Sequence, residues 1–320
     1  MIWRKLAISL GILAALIAGL AVVTLWRGDV RARAAEAAFP PIGQIMAINQ
    51  RRVHFLVRGK GPDLILIHGA SGNLRDFLPL IDVLAADYRV IAFDRPGMGY
   101  SDDLGDDSAS LRAQAEQLGA AARQLGVKTP ILLGQSYGGA VILAWAAYGV
   151  TPAPSALVLV SAAALPWPGK LDPWYQLTAY PLAAAVVVPL AAAFAPEWLI
   201  EAALPPIFAP DPVPQGYGDL IGTELSVRRR SLAVNARQVN ALRDQIVAMA
   251  PLYPALTLPV ELIHGDADTV VYLQIHSDPL SHILPNSHLT VIANAGHMPH
   301  HAHQAVILAA IERARLHASR

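Results

Sequence analysis

One serine of this 320-residue chain lies in a context that suits a nucleophile. Ser136 is the third residue of the segment GQSYGG (134–139), which follows a short apolar run and precedes a helical pattern. A serine on a sharp strand-to-helix turn requires small residues two positions before and after it, and Gly134 and Gly138 supply them. The N–H of Tyr137 would then lie at a helix N-terminus, where it can stabilise an oxyanion. The segment therefore predicts catalysis by a serine hydroxyl, with Tyr137 as one oxyanion donor.

Two further segments carry the groups that a serine nucleophile needs. A hydroxyl becomes strongly nucleophilic beside a base, and a third group must hold that base in its orientation. His297 lies in NAGHMPH (294–300), between the last predicted strand and the last predicted helix. Asp268 ends the segment HGDAD (264–268), directly after another predicted strand. All three residues follow strands, at the edge where open α/β sheets bind ligands. We expect a triad in the chain order Ser136, Asp268, His297.

A second donor to the oxyanion is expected from the loop HGASGN (68–73). This loop follows the predicted strand 63–67 and opens a helix. In hydrolases with the same chain order of triad residues, the loop after that strand contributes a backbone N–H. We expect Ala70 to be the donor and retain Ser71 as the alternative.

The elements that would position these residues alternate between short apolar strands and helices. Several strands are continuous apolar runs, as expected when helices cover both faces of a sheet. This alternation predicts an α/β fold with a mostly parallel, doubly wound sheet. Predicted strands are Ile45–Asn49, Val53–Val57, Asp63–Ile67, Arg89–Phe93, Pro130–Gly134, Ala156–Ser161, Leu258–Ile263 and Leu289–Ala293; predicted helices are Asn73–Ala86, Ser108–Leu125, Tyr137–Tyr148 and Gln304–Leu316.

The alternation stops between residues 162 and 250, a stretch rich in proline, alanine and aromatic residues. We interpret residues 162–250 as a helical cap inserted into a core formed by residues 45–161 and 251–320.

Asn235 is the polar member of an apolar stripe on a predicted cap helix, either as a hydrogen-bonded buried amide or as a substrate contact. Tryptophans such as Trp167 favour an apolar acyl or aromatic substrate over a sugar or a charged metabolite.

Residues 1–26 are interpreted as a transmembrane anchor. Leu6–Trp26 contains 21 residues without charge, which as a helix extend about 31 Å, enough to cross a hydrocarbon core of about 30 Å. A cleaved signal peptide is the alternative, with Ala32 and Ala34 as a processing site, although the apolar run exceeds the usual signal core. Residues 27–44, rich in alanine and arginine, are interpreted as a linker. We expect a single-pass protein of a bacterial-type inner membrane, with its catalytic domain on the periplasmic side.

Composition excludes several function classes. Lys plus Arg and Asp plus Glu both number 24, so no net charge favours nucleic-acid binding. Cysteine is absent, which rules out disulfides, thiolate nucleophiles and zinc–cysteine sites. His297, His300, His301 and His303 form a dense cluster, but no carboxylate lies near it in sequence. We therefore expect no metal and no cofactor.

From about Ile45 to the C-terminus the chain resembles the α/β-hydrolase superfamily. The resemblance rests on five segments in order: HGASGN, DRPGMGYS (94–101), GQSYGG, HGDAD and GHMPH. It implies the serine branch, which is esterase- or lipase-like, because dehalogenases and epoxide hydrolases carry aspartate at the position of Ser136. The acid would lie four residues after the loop histidine, which favours Asp268 over Asp266.

The resemblance implies hydrolysis of a carboxylic ester, or a related acyl bond, of an apolar substrate through an acyl-enzyme. One alternative is an acyltransferase or carbon–carbon bond hydrolase with the same triad. A different class is a non-catalytic, membrane-tethered binding protein, which would not need all three triad groups.

Overall fold

In the computed structural model, which describes residues 2–319, eight strands form one sheet in the order β1-β2-β4-β3-β5-β6-β7-β8. The strands are β1 Gln44–Ile48, β2 Arg51–Arg58, β3 Asp63–Ile67, β4 Arg89–Phe93, β5 Ile131–Gln135, β6 Ala156–Val160, β7 Val260–Gly265 and β8 Ser287–Ile292. β2 runs antiparallel to β1 and β4, and all other neighbours are parallel. The mostly parallel sheet is confirmed, with every predicted strand present and its ends displaced by two residues at most.

Helices cover both faces of this sheet. The helices of residues 2–319 are α1 Ile2–Ala38, α2 Leu78–Leu84, α3 Leu111–Gln124, α4 Tyr137–Ala147, α5 Pro173–Thr178, α6 Pro181–Phe194, α7 Glu197–Ala202, α8 Pro205–Phe208, α9 Tyr217–Ile221, α10 Thr223–Ser226, α11 Arg229–Met249, α12 Ser277–Ile283, α13 Pro299–Ala302 and α14 Gln304–Ala318. Ile65 and Ile67 join the apolar cluster under α3 and α4, whereas Leu64 and Leu66 join the cluster under α2 and α14. Successive strand side chains point to opposite faces, so two covered faces require the continuous apolar run that the sequence shows.

The helices α5 to α11 lie between β6 and β7, in the stretch interpreted as a cap. The longest of them, α11, buries Val234, Val239 and Ile246. It also places Gln238 against the core, where the side-chain oxygen accepts a hydrogen bond of 2.7 Å from buried Arg95. The apolar face of α11 thus attaches the cap to the core, and the hydrogen bond between Arg95 and Gln238 lies within this contact.

The N-terminal helix differs from the expectation for the linker. Residues 27–38 continue α1 as one helix, and only the short segment before β1 is irregular. Alanine-rich sequence favours helix, and α1, which buries Thr24, Gly28 and Ala35, packs against the cap helices α6 and α10. The earlier part of α1 is an apolar helix long enough to cross a membrane, with none of its apolar window buried, and is a candidate membrane span.

Candidate active site

Ser136 lies on a strained turn between β5 and α4. Its backbone has φ +52° and ψ −118°, a conformation that a residue with a side chain adopts only where the surroundings impose it. The Ser136 N–H donates to the Val160 carbonyl oxygen at 2.9 Å, which fixes the turn against β6. A Cβ atom on Gly138 would overlap the carbonyl oxygen of Ile67, so the small residue is required. The side chain of Ser136 is half-buried at the carboxyl end of the sheet.

The loops after β7 and β8 bring a carboxylate to an imidazole. His297 Nδ1 lies 2.7 Å from Asp268 Oδ2, and both side chains are buried. The other carboxylate oxygen, Oδ1, accepts the N–H groups of Val270 at 2.8 Å and Val271 at 2.9 Å. Burial alone would raise the pKa of Asp268, but the positive charge of His297 and the hydrogen bonds from His264 and His297 outweigh it. The pKa of Asp268 therefore lies well below its ordinary value, and the group is an ionised acceptor for the imidazole.

Asp266, the alternative acid, does not contact the imidazole. It is exposed, and its Oδ1 accepts the N–H of Asn294 at 2.7 Å. That bond ties the β7 loop to the β8 loop that carries His297. The structure thus brings Asp268, and not Asp266, to the base.

The serine turn and the histidine loop are neighbours. Gln135, the residue before Ser136, donates from Nε2 to the carbonyl oxygen of His297 at 3.3 Å. Among residues 2–319, the Ser136 hydroxyl makes no hydrogen bond, so the serine turn adjoins the histidine loop through Gln135 without a bond from Ser136 to the imidazole. Such bonds are often long in unliganded enzymes and tighten when substrate binds.

The predicted oxyanion donors face the same turn. A Cβ atom on Gly69 would lie 3.2 Å from the Cβ of Ser136, so this loop approaches the serine as closely as glycine allows. The Ser71 N–H donates to Asn235 Oδ1 at 2.8 Å, whereas the Ala70 N–H has no acceptor among the described residues. Tyr137 is the first residue of α4, where backbone N–H groups lack helical acceptors. The geometry favours Ala70 over Ser71, whose N–H is engaged by the cap.

Asn235 is a hydrogen-bonded buried amide. Its oxygen accepts from Ser71, and its Nδ2 donates to the Tyr175 hydroxyl at 3.1 Å. Both partners lie at the junction of cap and core. Asn235 therefore connects the cap to the loop 68–73 that carries the predicted oxyanion donor. Of the two alternatives for Asn235, the structure shows the hydrogen-bonded buried amide.

A buried cation beneath this loop was not foreseen from the sequence. Arg95 is fully buried and donates to the carbonyl oxygens of His68 at 3.0 Å and Gly69 at 2.9 Å. Its guanidinium also lies 4.2 Å from the ring centroid of Tyr137. Burial lowers the pKa of Arg95 to about 10, so it stays charged at neutral pH. Because Arg95 binds the carbonyl oxygens of His68 and Gly69, the backbone N–H groups that follow in this loop can point toward Ser136.

His68 is held neutral next to that cation. Its Nδ1 donates to the Gly69 carbonyl oxygen at 2.8 Å, and its Nε2 accepts a hydrogen bond from the backbone N–H of Arg95 at 3.0 Å. Burial, followed by the charge of Arg95, lowers the pKa of His68 from 6.5 to about 4. Protonation would turn the accepting nitrogen into a donor facing another donor.

Stability should fall with acid because of His68. Its folded-state pKa lies below the unfolded value, so the unfolded chain takes up a proton first as pH drops below about 6.5. At 1.36 kcal/mol per pKa unit, the free energy of unfolding should lose up to about 3 kcal/mol by pH 4 from this group. Urea unfolding across this range should show a shallower pH slope for His68→Gln than for the wild type, and an unchanged slope for exposed His282→Gln. Equal slopes in all three proteins would contradict the assignment.

A second buried cluster brings the histidine-rich segment to a carboxylate that is distant in sequence. Asp76 lies 3.1 Å from His300 Nε2 and 2.9 Å from His301 Nε2, and it accepts the Tyr217 hydroxyl at 2.8 Å. Three groups of metal-ligand type thus lie together. A ligating imidazole ordinarily donates its other N–H to a partner. His300 Nδ1 has none among the described residues, so the cluster fits a hydrogen-bond network between cap and core.

The cap also braces the loop of the base. Asp211 accepts the Gly296 N–H at 2.9 Å and lies 3.2 Å from His303 Nε2. Gly296 directly precedes His297, so this cap carboxylate helps to position the imidazole. No local pattern in the sequence indicates it, because the partners lie 85 and 92 positions apart.

Comparisons with known proteins agree with this fold. The model of the "Alpha/beta hydrolase family" matches residues 64–310. An uncharacterized protein of Mycobacterium tuberculosis is 25% identical over 281 residues, covering 86% of this chain and 81% of that protein.

Two solved structures have similar folds. The esterase RhEst1 from Rhodococcus sp. is 26% identical with a TM-score of 0.67, over 85% of this chain and 98% of that one. A bacterial membrane phospholipase A is 22% identical with a TM-score of 0.68, over 98% of this chain and 99% of that one, so the match extends into the N-terminal helix. The family match covers more than half of the chain, and the chain therefore belongs to the α/β-hydrolase family of enzymes.

Proposed function

We propose that this enzyme is a membrane-anchored serine esterase that hydrolyses carboxylic esters of apolar acyl groups. Ser136 would be the nucleophile, His297 the base and Asp268 its orienting acid. The observation that carries the proposal is the buried 2.7 Å contact between His297 and Asp268 next to the strained serine turn. Structural ion pairs are common, but a buried pair beside a partly exposed serine on such a turn suits nucleophilic catalysis.

The reaction would proceed in two acyl-transfer steps. Ser136 Oγ attacks the ester carbonyl carbon while His297 Nε2 takes the hydroxyl proton. The N–H groups of Ala70 and Tyr137 stabilise the oxyanion of the tetrahedral intermediate. His297 then gives the proton to the leaving alcohol, which departs and leaves an acyl ester on Ser136. Water, deprotonated by His297, attacks this ester, and His297 then returns that proton to Ser136 Oγ as the carboxylic acid leaves.

The ionised Asp268 would fix the reactive tautomer. It accepts Nδ1–H of His297, so the lone pair lies on Nε2, where the serine proton must go. The imidazolium that forms during the reaction is stabilised by the adjacent carboxylate. His297 would carry every proton transfer in this scheme, and the backbone amides would only donate hydrogen bonds to the oxyanion.

The surroundings of the oxyanion loop support an apolar substrate. Ala70, Trp167, Leu171 and Tyr175 are half-buried and pack on one apolar cluster. Trp167 lies against buried His276, with 5.9 Å between ring centroids. Burial lowers the pKa of His276 to about 4, so it presents no charge at neutral pH. A charged or sugar-like acyl group would leave polar atoms unpaired against this surface.

A chain-length series tests the substrate class. Each added methylene of an acyl chain gains about 0.8 kcal/mol when buried, so kcat/KM should rise up to about fourfold per methylene and then level off. Steady-state hydrolysis of a series of p-nitrophenyl esters measures this directly. The series starts at the acetate ester, stops before the acyl chains reach the length of lipid chains, and is assayed in detergent. Highest activity on acetate with a steady decline would show that the cap closes the site, and the apolar preference would be wrong.

A further inference from the structure

The cap helix α6 carries an uncovered apolar face. Leu182, Val186, Leu190 and Phe194 recur every fourth residue, which places them on one side of the helix. Their exposed fractions are 87%, 58%, 37% and 43%. No charged residue occurs from 173 to 196. Enzymes surrounded by water rarely expose a continuous apolar strip of this kind, so this face calls for an apolar partner.

The strip continues around a bend into α7. The axis of Pro181–Phe194 and that of Glu197–Phe208 meet at 110°, which makes the start of α7 a protruding corner. Trp198 and Leu199 lie at this corner and are 67% and 49% exposed. Tryptophan is the residue typical of the boundary between membrane and water.

The corner lies at the end of the candidate span. Arg27 follows the last residue of the apolar run, and its Nε donates to the Ala193 carbonyl oxygen at 2.8 Å. The Arg27 guanidinium is also 5.1 Å from the ring centroid of Phe194. The C-terminal end of α6 therefore lies at the level where α1 would leave the hydrocarbon. Further along, Gly28 and Ala35 of α1 are buried, and α1 packs against both α6 and α10 of the cap.

We propose that the α6–α7 face is a second membrane-docking surface, seated in the interfacial layer of the bilayer that holds α1. The inference rests on the membrane anchor of the proposed function. The occupant is a lipid bilayer because the face is continuous with the span and its α6 part carries no charge, whereas Glu197 and Glu201 of α7 suit the polar headgroup layer rather than the hydrocarbon. The basic residues Arg27, Arg31 and Arg33 lie on the adjacent part of α1, where they can meet anionic headgroups.

This position would connect the bilayer to the active site through the two cap helices α6 and α11. The inner side of α6 packs against α11, which carries Asn235, and Asn235 holds the Ser71 N–H of the oxyanion loop. An apolar ester dissolved in the bilayer would thus reach the cap without passing through water.

The absence of cysteine allows a direct test on the full-length chain. Single variants Leu190→Cys and Leu199→Cys, labelled with an environment-sensitive nitrobenzoxadiazole dye, are reconstituted in vesicles of phosphatidylcholine and phosphatidylglycerol. Val83→Cys is the matched control, because Val83 is apolar, as exposed as Leu199 at 49%, and lies on α2 of the core rather than in the cap. We expect blue-shifted emission and quenching by spin-labelled lipid at positions 190 and 199, and quenching by aqueous iodide at position 83.

Equal iodide quenching at positions 199 and 83 would overturn the inference. So would protection of position 199 that appears only at high protein density with energy transfer between labels, because a second copy of the chain would then be the occupant. Flotation with the vesicles tests the anchor separately, and hydrolysis of a water-soluble ester by each variant tests folding and the esterase proposal. A protein that floats and hydrolyses the ester, but exposes position 199 to iodide, contradicts the docking surface alone.

Discussion

Replacing Ser136 with alanine should lower kcat for ester hydrolysis by about five to six orders of magnitude. The variant retains the His297–Asp268 contact and the oxyanion donors, but it has no atom that can form the acyl ester. What remains is attack by water in a site that still binds the substrate. Steady-state hydrolysis of p-nitrophenyl butyrate measures the loss, and a folded variant should still bind the ester.

Ser161 offers a matched control for that substitution. It also follows a central strand, β6, and has a positive φ of 45°, but it is buried and its hydroxyl has no hydrogen-bond partner among the described residues. Ser161→Ala should change kcat less than tenfold. Similar losses in both variants, or a Ser136→Ala enzyme within tenfold of the wild type, would remove Ser136 from the role of nucleophile.

Asp268→Asn should lower kcat/KM by about four orders of magnitude. The two backbone N–H groups of Val270 and Val271 require an oxygen at the position of Oδ1, so the new amide must turn its NH2 group toward His297. That group can only donate, which forces the imidazole proton onto Nε2. The nitrogen facing the serine then cannot accept its proton.

Asp266→Asn is the control for the acid. It keeps an oxygen that can accept the Asn294 N–H and lies away from the imidazole, so kcat/KM should change less than tenfold. Both variants are compared by steady-state kinetics, with circular dichroism to verify folding. Comparable losses would show that the acid is shared or wrongly assigned.

The local patterns were sufficient to predict the sheet. Leu64–Ile67 is apolar at every position because both its faces are covered, and the same reason explains why each predicted strand is present. The cap was harder, since its short helices show little periodicity. Pro173, Pro181 and Pro205 begin three of them, and proline at the first position of a helix is the local signal that marks these starts.

The supporting groups of the site depend on contacts that sequence order conceals. Asp76 contacts His300 across 224 positions, and Gln238 reaches Arg95 across 143. Neither pair lies in one motif. The sequence could predict that Ser136, Asp268 and His297 lie at one edge of the sheet, because the carboxyl ends of parallel strands gather there. The buried Arg95 under the predicted oxyanion loop could not be predicted in this way, because one of its partners, Gln238, lies in the cap. The helical continuation of α1 likewise depends on α6, which lies far away in the chain.

Mapping the adduct of a fluorophosphonate probe tests the serine mechanism most directly, because only a base-activated hydroxyl attacks phosphorus readily. The full-length enzyme is labelled in detergent, digested and examined by mass spectrometry, with heat-denatured protein as the control. The proposed mechanism predicts a single adduct, on the peptide that contains Ser136, and no adduct after denaturation. An adduct on another serine, or none on folded enzyme that hydrolyses esters, would contradict it.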